Sequence, residues 1–160
     1  MKLNLKKLNF LSSEKYYMII HEWNQTAHEY PRDRTVIELF EEQAARTPDS
    51  IAVIYEDTRL SYRELNEYAN RLSRYLADEY SIGADSLAAL CIDRSEKMIQ
   101  AILGVMKTGA AYVPLAPDYP DERLRYILRD TGTKVILTNK KFKNKLEDII
   151  NDPENDLQEI

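Results

Sequence analysis

"SLAALCI", Ser86–Ile92, is apolar at every position after its serine. A strand with one wet face alternates apolar and polar residues. An unbroken apolar run instead suits a central strand of a parallel sheet, covered on both faces. Downstream, "SEKMIQAILGVMKTG" (Ser95–Gly109) reads as a helix apolar on most sides, with Ser95 as its cap and Gly109 at its stop position. "AAYVPL" follows as the next strand, over Ala111–Leu115, and Pro114 belongs at an edge or near that strand's end because it has no N–H to donate. Pro120 suits the first turn of a helix, "PDERLRYILRDTG", which Gly132 stops. The strand "KVILTN" and the charged helix "KKFKNKLEDII" complete the pattern.

Upstream of Ser86 the same logic holds. Ser61 and Glu64 form a capping-box signature, each able to satisfy the other's backbone N–H. The helix they open turns Leu65, Ala69, Leu72 and Leu76 inward and ends before Gly83. "IAVIY" is a short β-rich run, and "EDTR" turns the chain. "TVIELFEEQAART" puts Val36, Leu39, Phe40 and Ala44 on one helical stripe, closed by Pro48. Strands and helices therefore alternate from about residue 51, which predicts an α/β fold with a mostly parallel sheet and helices on its faces. Residues 1–31 read as an arm or linker, with a short helix in "SSEKYYMIIHEWNQT" that places Tyr17, Ile20, Trp23 and Asn24 near one face and is broken by Tyr30-Pro31. Residues 32–150 form the α/β portion, and 151–160 a frayed tail.

With 160 residues, 44% of them hydrophobic, and a net charge of −5, the composition is that of a globular protein. Basic residues are dispersed among acidic ones, which argues against nucleic acid and anionic membranes as partners. Cys91 is the one cysteine, so no internal disulfide forms, and a reducing cytoplasm is the expected location. No secretory signal or membrane-spanning run is visible in the sequence.

Chemistry is scarce. Gly104 and Gly109 have the spacing of a phosphate loop, but Ala110 and Ala111 stand where that loop needs Lys and Ser or Thr, and the stretch has helical periodicity. His21 and His28 lack a cysteine or carboxylate that would complete a zinc site, and no GxSxG elbow accompanies them. Cys91, inside the most apolar strand, is expected to be inert. Glu41-Glu42 and Asp121-Glu122 read as solvated faces or helix N-terminal charges. No catalytic, cofactor-binding or metal-binding residue is assigned.

Resemblance adds what spacing cannot. "LSYRELNEYANRLSRYL" (Leu60–Leu76) resembles the first core motif of amino-acid adenylation domains of nonribosomal peptide synthetases. "VMKTGAAYVPLAPDYPDERLRYILRDTGTKVILT" (Val105–Thr138) resembles their second core motif and the helix and strand after it. "EWNQTAHEYPRDRTVIELFEEQAARTPDSIAV" (Glu22–Val53) is similar to the linker from a condensation domain into an adenylation domain. Within the second motif, Ala116 stands where the family usually has Asp, with Asp118 two residues on.

The resemblance implies a domain that activates an amino acid with ATP and magnesium and loads it onto a carrier domain's phosphopantetheine thiol. The family's phosphate loop, substrate-amine aspartate, ribose-binding motif and catalytic lysine have no counterpart here, so ATP and Mg are expected only for the complete family domain. The expected partners are the remaining adenylation segment, condensation or carrier domains, and a second copy through an exposed sheet edge. A noncatalytic scaffold module and a small unrelated nucleotide-binding protein stay open beside the adenylation reading.

Overall fold

The computed structural model describes residues 11–151 and 158–159. The chain divides into two compact units, 1–34 and 35–160.

In the first unit, Ser12 caps α1 (Ser13–Tyr17) by accepting from the Lys15 N–H. The helix widens into a π-type turn over Met18–Glu22. The Asn24 amide ends it by donating to the Ile19 and Ile20 carbonyls at 2.8 and 3.0 Å. The helix thus stops well before Tyr30-Pro31, because a side chain supplies the terminator. It buries none of its own residues, and Tyr16, Tyr17, Ile20 and Trp23 are exposed.

The second unit is built on β3 (Leu87–Cys91). α4 (Glu96–Lys107) leads from it to β4 (Ala111–Pro114) on one side. α5 (Asp121–Thr131) then crosses to β5 (Val135–Thr138) on the other, giving the order β4-β3-β5, all parallel. Right-handed crossovers that run in opposite directions across a sheet place their helices on opposite faces. The two buried clusters agree. Ala88, Leu90 and Ile92 pack with Leu76, Ala101 and Val105, whereas Ala89 and Cys91 pack with Leu124, Leu128, Leu146 and Ile149. Alternate residues of one strand therefore feed two cores, as the unbroken apolar run requires. α6 (Lys140–Ile150) shares the second core with α5. Of the residues read as a frayed tail, 152–157 and 160 lie outside the described residues, and a short β6 (Gln158–Glu159) pairs in parallel with β5.

Pro114 lies on an edge strand, as expected. The Ala111 and Leu115 N–H groups donate inward to Ser86 and Leu90. Tyr112 and Pro114 therefore face outward, and only Tyr112 has an N–H to offer. This edge is a poor template for a second chain.

Other readings change in the second unit. "EDTR" is not only a turn, because Thr58–Ser61 forms β2, which pairs antiparallel with β1 (Ile51–Tyr55) in a separate two-stranded sheet. Glu56 makes the tight reversal with a left-handed φ of 50°. Within "TRLS" only Leu60 is buried, so no apolar alternation marks it as a strand. On α2 (Val36–Arg46), Ile37, Phe40 and Ala44 face the core, while Val36 and Leu39 are exposed. The apolar stripe is rotated by one residue from the one expected.

The capping box is present. Ser61 Oγ accepts from the Glu64 N–H, opening α3 (Tyr62–Tyr80), and the Ser61 N–H and hydroxyl each donate to the Glu64 carboxylate at 2.8 Å. These bonds hold the Glu64 carboxyl below its ordinary range, the backbone N–H contributing most. Leu65, Ala69 and Leu76 are buried as expected, and Leu72 lies against α4 at Gly104. A Cβ on Gly104 would stand 2.6 Å from Leu72 Cδ2. Gly104→Ala should therefore cost about 1–3 kcal/mol by overpacking. Urea denaturation measures this, and adding Leu72→Ala should return part of the loss; an unchanged midpoint in Gly104→Ala contradicts the close packing.

Candidate functional site

In open parallel sheets, ligands gather beyond the carboxyl ends of the strands where the strand order reverses. Here that point lies between β3 and β5. Thr138 Oγ1 donates to the Cys91 carbonyl at 2.8 Å, and Asn139 Nδ2 donates to Asp93 Oδ1 at 2.7 Å. Lys141 Nζ reaches Asp93 Oδ2 at 3.2 Å. Asn139 Oδ1 also accepts the Lys141 N–H, capping α6. These polar groups are spent on one another and tie the two strand ends together.

Beside them runs the loop Leu115–Pro120, which leaves β4. The Tyr119 N–H donates to the Ala116 carbonyl, making a turn. Lys145, on α6, donates to the carbonyls of Pro117 at 2.6 Å and Tyr119 at 2.7 Å, with Asp121 Oδ1 at 4.0 Å. One ammonium thus braces the whole loop. Asp118 is exposed and has no hydrogen bond or ion pair among the described residues, so it does not take over the place of a carboxylate at 116. No local signal in the sequence marks Lys145, which lies 28 residues from Pro117 and 26 from Tyr119.

The other candidates resolve into structure. The Gly104–Gly109 stretch is helix as expected, and Gly109 ends it with a φ of 85°, a conformation open to glycine without penalty. Lys107 is nearly enclosed and pairs with Glu41, so that carboxylate holds α2 to α4 in addition to facing solvent. Asp121 and Glu122 occupy the first turn of α5. His21 stacks on Tyr17 at 4.7 Å between ring centroids, and His28 lies outside any helix, so the two do not share a helical face. Cys91 is fully buried, and that burial pushes its thiol up, with Lys145 opposing more weakly. The Ser95 hydroxyl donates back to the Asp93 carbonyl and does not cap α4. Among the described residues, no group of three or more His, Cys, Asp and Glu side chains is placed to hold a metal, and no helix is long and apolar enough to cross a membrane.

This architecture is the opening α/β portion of an adenylate-forming enzyme. The family described as "AMP-binding enzyme" matches residues 40–159, and the chain belongs to it. Bacitracin synthase 2 of Bacillus licheniformis is 41% identical over 146 residues, 91% of this chain and 6% of that protein. An artificially fused adenylation–PCP di-domain from Klebsiella oxytoca has the same fold at a TM-score of 0.67, with 24% identity, over 79% of this chain and 23% of its own. The O-succinylbenzoate coenzyme A synthetase of Bacillus subtilis, solved with AMP, gives 0.66 at 26% identity over 76% of this chain and 30% of its own. The resemblance to nonribosomal peptide synthetase adenylation domains is thereby borne out, and the chain spans a small part of these proteins.

Lys145→Met keeps the aliphatic stem and removes the brace. The two carbonyls can be rehydrated, so the cost should be about 1 kcal/mol. Local opening at the Tyr119 amide should rise about fivefold by hydrogen exchange. Unchanged exchange there means Lys145 does not hold the loop.

Proposed function

We propose that this chain is scaffold for amino-acid activation. In the complete domain an amino acid and ATP, with magnesium, give an aminoacyl-adenylate and pyrophosphate, and the aminoacyl group passes to a carrier domain's thiol. The match over residues 40–159 carries this reading. The described residues offer no cradle for a triphosphate. The glycine pair with phosphate-loop spacing lies in a helix, and Leu72 fills the space beside Gly104. The carboxyl-end polar groups are already bonded to one another. We therefore assign no catalytic or nucleotide-binding role to any residue here, and the reaction needs groups supplied from outside these residues, in a cytoplasmic synthetase.

A second reading rests on the first unit. Its exposed Tyr16, Tyr17 and Trp23 are residue types that anchor protein interfaces, which suits an arm that docks a condensation domain or the rest of an adenylation domain.

Amino-acid-dependent exchange of pyrophosphate into ATP separates the possibilities. The chain alone should give no exchange above a denatured control, and exchange should appear when the remaining adenylation segment is added. Exchange by the chain alone overturns the scaffold reading. Stable capture of the added segment with no exchange favours the docking role.

A further inference from the structure

Opposite the carboxyl ends, at the amino-terminal end of the sheet, a groove of about 360 Å³ lies between the end of α3, the loop before β3 and the α5–β5 turn. Tyr80, Ile82 and Leu87 supply apolar and aromatic lining, and Asp85 and Lys134 supply the charges. Among the described residues, Asp85 and Lys134 carry no ion pair, with each other or with any other group. Left-handed backbone concentrates here. Ser81 at φ 52°, Asp85 at 63° and Gly132 at 60° all line the groove. Such conformations in non-glycine residues persist only where surrounding structure enforces them.

The electrostatics lean negative, although Lys134 lines the groove and the last turn of α5 carries Arg129. Ser81 and Gly132 are the C-terminal caps of α3 and α5, so two helices direct their negative ends toward this groove. The last turn of α3 has no basic residue to offset this and carries Asp78 and Glu79. Asp85 adds a full negative charge. An aliphatic floor at Ile82 and Leu87 beside a carboxylate and an aromatic ring suits a cationic head on a hydrocarbon stem.

We propose that this groove binds an alkyl ammonium or guanidinium group, with Asp85 as its counter-ion and Lys134 as an opposing charge at the rim. The group is either a free amine or a Lys or Arg side chain of a partner segment. The site is independent of the adenylation reading, because it lies at the other end of the sheet from the loop and strand ends described above.

The two lining charges make the proposal testable in opposite directions. Backbone amide shifts are followed in the full chain during titration with n-butylammonium chloride, with n-butanol as the uncharged control. The ammonium should give saturable shifts at Ser81, Asp85 and Gly132, and the alcohol none. Asp85→Asn, which tolerates the left-handed backbone, should weaken binding about threefold to fivefold, and Lys134→Gln should strengthen it by a similar factor. A parallel titration with the peptide Gly-Gly-Lys-Gly-Gly separates the sources. Tighter binding of the peptide identifies a protein-borne side chain, and equal binding identifies a free amine. Shifts that the alcohol reproduces, or an affinity unmoved by either substitution, overturn the proposal.

Discussion

Everything in the larger unit depends on burying β3 from both sides. A strand with no polar side chain between Leu87 and Ile92 has no face to offer water. It requires a neighbour on each edge and helices above and below. β4 and β5 meet the first need by pairing in parallel along its length. The second follows from connectivity, because the crossovers β3 to β4 and β4 to β5 run in opposite directions across the sheet and so put α4 and α5 on opposite faces. Fully burying one leucine such as Leu124 contributes about 1.5–3 kcal/mol, so two such cores stabilise a sheet whose flanking strands span only four residues each.

The same arrangement brings polar groups together at the carboxyl end of the sheet. The reversal in strand order creates a place where ligands commonly bind, yet the side chains there close on one another through Asp93, Asn139 and Lys141. Next to it the Leu115–Pro120 loop is stiffened by prolines and held by the Lys145 ammonium on two carbonyls. A loop whose geometry rests on backbone carbonyls depends little on the side chain at 116. That gives a physical reason why Ala116 is compatible with the turn and why Asp118 need not replace a carboxylate.

The elements that were legible are those where local signals and burial agree. The β3 run, the Ser61–Glu64 box, the Gly109 and Gly132 stops and the edge position of Pro114 all follow from residue chemistry within a few positions. What escaped is governed by contacts distant in the chain or by faint patterning. β2 was hidden because a half-wet hairpin strand with one buried leucine looks like loop. The stripe on α2 was misplaced because Val36 and Ile37 are equally apolar, and only packing against α3 and the hairpin selects Ile37. Lys145 and the Lys107–Glu41 pair link separate elements, and no spacing rule exposes such contacts. For the candidate site, the helical periodicity around Gly104 is matched by α4, while the amino-end groove emerged only from helix ends brought together by the fold.

If β3 is the strand on which both cores are assembled, its amides open only when the whole unit unfolds. Native-state hydrogen exchange at Ala89, Leu90 and Cys91 tests this most directly. These amides should exchange with an opening free energy equal to that of global denaturation, while Ile54 in the β1–β2 hairpin exchanges by a cheaper local opening. Exchange at β3 as fast as at Ile54 would contradict a sheet organised around this strand.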